Sequence, residues 1–189
     1  MKTLIIVLAS LSIILAGDGP FGIDFGTPIS SFNAIKKGDI YILDSVPKPN
    51  PYFTLYLVRA SVGQGIFWIK GLGRVEPVEP TGESLRLKAD EIAKQVSAVF
   101  GDQYKLYDYL RAESILTGPD EWLKGIMKEE RRYVYTWNNN LTPPFIISEV
   151  KSIFITPAVL DSCRGAITIE YLGTNQEAAK DSKSISSSY

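Results

Sequence analysis

The chain has no histidine and a single cysteine, Cys163, among 189 residues. Without histidine, the serine–histidine–aspartate and cysteine–histidine nucleophile systems and the commonest zinc sites are excluded. One cysteine excludes an intramolecular disulfide and a paired-cysteine metal site. An excess of either charge is missing too: 20 Lys and Arg oppose 21 Asp and Glu, a formal net charge of −1. That balance, with no basic stripe along the chain, argues against a nucleic-acid partner. Neither G-x-x-x-x-G-K-[ST] nor a usable G-x-G-x-x-G occurs, so no phosphate loop is expected. The sequence assigns no catalytic residue, no metal site and no cofactor. What is present is an ordinary globular composition, 45% apolar and 22% charged, enough for a sizeable core.

Residues 1–17, MKTLIIVLASLSIILAG, have the layout of a secretory signal peptide: Lys2, an apolar run from Leu4 to Leu15, then small Ala16 and Gly17. Cleavage is expected after Ala16, with Gly17 the alternative. The run of 12 residues falls short of the roughly 20 that a membrane span needs. Asp18 follows Gly17 where a lipid anchor would require cysteine. The mature chain is therefore expected to be periplasmic or secreted, with an uncleaved signal segment as its membrane link. Cys163 is expected to be a small buried hydrophobe.

The mature chain opens on Gly22–Ile35. Ile23 and Phe25 alternate with Asp24 as a short strand does, Gly26 permits a turn, and Thr27 and Pro28 suit the start of a helix. Ile29, Phe32 and Ile35 then predict one helical face, ended by Gly38. Asp39–Leu43, Tyr52–Ala60 and Ile66–Leu72 read as an antiparallel meander, rich in aromatic and β-branched residues. Glu76–Gly82 is a proline-rich connector. From Ser84 to Phe100, Leu85, Ala89, Ile92, Val96 and Val99 form an apolar helical stripe. Tyr104–Ala112 and Asp120–Arg131 are predicted as further helices. Arg132–Trp137, Val150–Thr156 and Ala166–Leu172 close the chain as strands. The polar stretch after Thr174 lacks the apolar content to pack.

The expected class is α+β: two modules, each a helix with a three-stranded antiparallel sheet, over residues 18–75 and 83–173. A signal peptide precedes them (1–17) and a disordered tail follows (174–189). The sequence leaves open whether the modules share one core.

The run Tyr107-Asp108-Tyr109-Leu110, Glu113-Ser114-Ile115, Asp120-Glu121-Trp122, Lys128-Glu129-Glu130-Arg131 and Trp137, with the Gly22–Thr27 opening, resembles a group of small, uncharacterised bacterial secreted proteins. Leu116 departs from it, since that group carries an aromatic there. The resemblance implies export and brings no activity. The Gly26-Thr27-Pro28-Ile29-Ser30 stretch and the element order are also similar, more faintly, to tandem helix-plus-sheet exported proteins such as the β-lactamase inhibitor proteins and small lipoproteins of outer-membrane assembly. That likeness implies protein binding through a sheet face.

Ten Tyr, eight Phe and three Trp include Tyr133, Tyr135 and Trp137 on one strand face. Core packing accounts for most such rows. The alternative is a binding surface, because Tyr and Trp supply rigid contact area. Trp68, Tyr133, Tyr135 and Trp137 are the candidate binding residues. Asp24, Asp108, Glu113, Asp120 and Glu121 raise a second class, a carboxylate hydrolase of cell-wall or saccharide material, although solvated charge and helix-start roles account for each of them. Asn140-Leu141-Thr142 matches a glycosylation sequon. The absence of nucleophile motifs favours a non-enzymatic exported protein that binds another protein or an envelope component through an aromatic-rich sheet surface.

Overall fold

The computed structural model describes residues 19–139 and 149–176. The signal segment, the Asn140 sequon and the tail beyond 176 lie outside the described residues. The strands are β1 (Ala34–Lys37), β2 (Ile40–Leu43), β3 (Phe53–Ser61), β4 (Gly65–Gly73), β5 (Glu76–Pro77), β6 (Tyr104–Leu110), β7 (Arg131–Asn138), β8 (Val150–Asp161) and β9 (Arg164–Gly173). Two α-helices, α1 (Glu83–Phe100) and α2 (Trp122–Met127), interrupt them. The strands form one antiparallel sheet in the order β1-β2-β3-β4-β9-β8-β7-β6, with β5 beside the far end of β9.

The expected pair of modules is thereby corrected to a single, mostly β architecture. The two halves do not close separately. β4 and β9, the strands that would have been their edges, pair with each other from Trp68↔Leu172 to Leu72↔Thr168. Both strands carry apolar side chains on both faces, as strands inside a sheet do. Two local expectations are corrected as well. Ile29–Ser31 forms only a 3-10 turn, and Ala34–Lys37 leaves it as β1, paired to β2 through a turn at Gly38 with φ of +62°. A turn followed by a strand satisfies the Ile29, Phe32, Ile35 spacing as well as a helix does. Tyr104–Leu110 is a strand paired along its length with β7; its three tyrosines suit a pleated surface better than a helix.

α1 follows the expected stripe. Leu85, Ala89, Ile92, Ala93, Val96 and Phe100 are buried and lie against β8 and β9. Gly82 precedes the helix without a side chain to cap it, and Glu79 supplies the cap: its carboxylate accepts the Ser84 N–H at 2.5 Å and the Ser84 hydroxyl at 2.8 Å. α2 packs on β7 and β8. Phe21 and Ile23 complete this layer. A Cβ at Gly71 would stand 2.9 Å from the Phe53 ring and 3.0 Å from the Phe21 ring, so the bare backbone there lets both aromatics onto the sheet. Helices and N-terminal segment thus cover one face, over a core of Val58, Ile69, Trp137, Ile153, Ile155, Ile167, Ile169 and Tyr171.

Candidate binding face

Side chains alternate along a strand, so the residues between these core positions point to the opposite face. Register identifies them. Trp68 lies across from Arg59 on β3 and Leu172 on β9; Lys70 lies across from Leu57 and Glu170; Leu72 lies across from Leu55 and Thr168. Phe154 on β8 stands between Glu170 and Thr136. Leu55, Leu57, Leu72, Phe154 and Leu172 are each only partly buried. Both α-helices pack on the opposite side, where Asp90 of α1 and Trp122 of α2 meet Tyr133.

Polar groups hold the centre of the face in place. The Glu170 carboxylate accepts the Trp68 indole N–H at 3.0 Å and the Lys70 ammonium at 2.8 Å. The Arg59 guanidinium lies 5.0 Å from the centre of the Trp68 ring and pairs with Asp39 at 3.2 Å. These contacts leave Trp68 only 9% exposed. The Thr156 and Thr168 hydroxyls share a hydrogen bond of 2.9 Å. Towards β6, Tyr107 and Tyr109 are 42% and 47% exposed. With Arg132, Thr136, Ser152 and Phe154 they border a shallow cleft of about 440 Å³.

Of the four residues singled out by sequence, Trp68 alone lies on this face. Tyr133, Tyr135 and Trp137 point to the covered one. Both phenols donate to Oδ1 of Asp90 on α1, at 3.0 Å from Tyr133 and 2.6 Å from Tyr135. The Trp137 indole donates to the Gly101 carbonyl at 3.0 Å. Trp122 of α2 packs edge-on against Tyr133, with centroids 5.7 Å apart. Burial, followed by the hydrogen bond to Asp90, pushes the Tyr135 phenol up to about 12. Burial raises Tyr133 still further, helped by its contact with Tyr135. These three residues join the sheet to α1 and are closed to a partner in this fold.

The carboxylates raised by the hydrolase reading have separate partners or face solvent. Asp24 accepts the Gly19 N–H at 2.7 Å, Asp108 pairs with Arg131 at 2.9 Å, and Glu121 accepts the Gly118 N–H at 3.0 Å. Glu113 and Asp120 are exposed. Among the described residues there is no cluster of three or more Cys, Asp or Glu that could hold a metal ion. Cys163 is exposed in the β8–β9 turn rather than buried. Its thiol donates to Asp161 at 3.4 Å, a contact that raises its pKa and disfavours the reactive thiolate.

Sequence reasoning passed over Leu72, Phe154, Leu172, Tyr107, Tyr109 and Arg132. Alternation shows which residues share a face, but not which face the helices cover. For Tyr107 and Tyr109, the helical reading of their segment hid the alternation itself.

Comparisons with protein-family models, curated proteins and solved structures found no match to this chain. The chemistry of the uncovered face is therefore the basis for a functional reading. Among the described residues no helix is long and apolar enough to cross a membrane.

Proposed function

We propose that this chain is an exported, non-enzymatic binding protein that takes a protein or an envelope component on the uncovered face of its sheet. One observation supports the reading: both α-helices pack on the side of Tyr133, Tyr135 and Trp137, while the other side keeps partly exposed Leu, Phe and Tyr side chains from β3 to β6. Apolar surface left uncovered on one side of a sheet marks a candidate interaction site. Arg59, Lys70, Glu170 and Arg132 give this row charge and orientation, and the shared Glu170 acceptor pre-organises its centre. Export rests on the signal-peptide layout of residues 1–17.

Site-directed photocrosslinking in a source-cell envelope extract tests the proposal. A benzophenone side chain at Phe154 should capture a discrete partner, and one at Leu87, 57% exposed on the outer side of α1, should not. Capture from Leu87 with none from Phe154 would place the interface on the helices and overturn the reading. A saccharide adduct at Phe154, with no protein adduct, would identify an envelope glycan as the partner.

A further inference from the structure

The two ends of the sheet are guarded very differently. β1 offers four residues, two of them Lys36 and Lys37, a short and charged edge of the kind that resists pairing. β6 offers seven residues, Tyr-Lys-Leu-Tyr-Asp-Tyr-Leu, all exposed except the half-buried Leu110. Among the described residues it pairs only with β7. Tyr104, Leu106, Tyr107 and Tyr109 are 42–47% exposed. There is no proline, and Asp108 is already neutralised by Arg131 at 2.9 Å. About half the backbone N–H and C=O groups of such a strand point away from its one neighbour. A long, unguarded aromatic edge is a template for strand addition.

We propose that β6 is where two copies of this chain join, strand to strand, as a two-fold dimer with Tyr107 on the axis. The proposal does not rest on the binding-face reading, since it uses the backbone edge of β6, although Tyr107 and Tyr109 also border that face. Residues facing one another across an antiparallel pair lie on the same face, so the axis must pass through a residue. The axis at Tyr107 pairs all seven positions: Tyr107 with itself, Lys105 with Tyr109, Leu106 with Asp108, and Tyr104 with Leu110. No like charges meet, and each ammonium faces a phenol ring. Continued by one residue, this register brings Arg111 of each copy to Gln103 of the other, next to Asp102. Moving the axis to Asp108 would oppose Lys105 and Arg111, two cations. Moving it to Leu106 would leave Tyr109 and Leu110 beyond the end of the other strand and set Asp102 against Leu110. The Tyr107 register is the self-complementary one that an isologous contact requires.

Disulfide trapping tests the axis directly, in mature chain carrying Cys163→Ser. With Tyr107→Cys, the two Cα atoms would lie about 4.5–5.5 Å apart, within disulfide reach. With Tyr109→Cys they would be separated by four residues along the strands, about 14 Å. Tyr107→Cys should therefore form covalent dimer at least tenfold faster than Tyr109→Cys. Unmodified chain should show a reversible, concentration-dependent doubling of mass in sedimentation equilibrium. Tyr107→Lys, with its fold checked by circular dichroism, should weaken that association at least tenfold by placing two ammonium groups on the axis. The proposal fails if the unmodified chain stays monomeric to millimolar concentration. It fails equally if Tyr109→Cys traps as fast as Tyr107→Cys, or if a folded Tyr107→Lys chain dimerises unchanged. The trapping arm involves an edge position and does not depend on a disruptive variant.

Discussion

Truncating Trp137 to alanine separates the structural role of the covered aromatic row from a binding role. Trp137 is 0% exposed. Its ring stacks on Tyr135 at 6.1 Å and lies 5.2 Å from Tyr104. Removing a buried Trp costs about 3–5 kcal/mol through lost transfer free energy and the cavity left behind. The broken hydrogen bond adds little, because Gly101 is exposed and water can take over its carbonyl. Against a total stability of about 5–15 kcal/mol, that loss should lower the thermal midpoint by roughly 6–20 °C for a chain of this size. Trp137→Phe keeps most of the ring volume and should lose about 1–2 kcal/mol. Urea unfolding followed by far-UV circular dichroism measures both. A Trp137→Ala loss below about 1 kcal/mol would refute the packing argument. So would a natively folded variant that no longer captures the partner, since that would place the indole at an interface.

Three further outcomes follow from particular contacts. Gly82→Ala should be far more destabilising than Gly38→Ala. Both backbones are left-handed, with φ of +65° and +62°, but a Cβ at Gly82 would stand 2.0 Å from the Trp122 ring while one at Gly38 meets nothing within 4 Å. Gly38→Ala should cost about 1–2 kcal/mol of backbone strain alone, and equal losses in urea melts would contradict the clash. Alkali should destabilise the fold: burial raises Tyr56, Tyr133, Tyr135 and Tyr171, so the folded state keeps phenolic protons that the unfolded chain releases near pH 10. That stability is complete below about pH 10 and is lost as pH rises through the folded values, that of Tyr135 being about 12; a urea midpoint unchanged from pH 9 to 12 would count against it. Finally, a double-mutant cycle of Lys70→Met and Glu170→Gln should give a coupling of only about 0.5–1 kcal/mol, as for a cross-strand pair that keeps partial solvent contact. A coupling above about 3 kcal/mol would mean that the pair is sealed from water.

Individual strands were legible wherever alternation was strong. β2, β3, β4, β7, β8 and β9 lie where the sequence predicts strands, and α1 covers the helix expected from Ser84 to Phe100. β1 and β6 were not legible, for the same physical reason. Each is an edge strand with a modest pattern, settled by pairing with a neighbour and not by propensity. Ile35 is strand only because Ile42 lies opposite it, and Tyr107 because Val134 does. Of the four residues that the sequence offers for an aromatic sheet surface, Trp68 alone lies on the uncovered face. The other three candidates satisfy the same alternation, yet they face the helices. That choice of face depends on where α1 crosses, which no local pattern encodes.

The joint between β4 and β9 shows why element order alone suggested two modules. Residues 39–73 make a complete meander by themselves, and so do the strands from 131 to 173. Each half, however, would expose a strand of nine or ten residues at its margin, β4 or β9, and such an edge is prone to aggregate. Pairing the two margins removes both edges at once. It also assembles the centre of the candidate face from partners far apart in sequence: the Trp68 indole and the Lys70 ammonium meet Glu170 across 102 and 100 residues. Because neither half carries that constellation alone, the centre of the uncovered face exists only once the joint is formed, and the fold's stability and the proposed binding depend on the same pair of strands. A substitution that prevents β4–β9 pairing should abolish partner capture and the cooperative melt together. Variants confined to the exposed side chains, such as Phe154→Ala, should lower capture and leave the melt nearly unchanged.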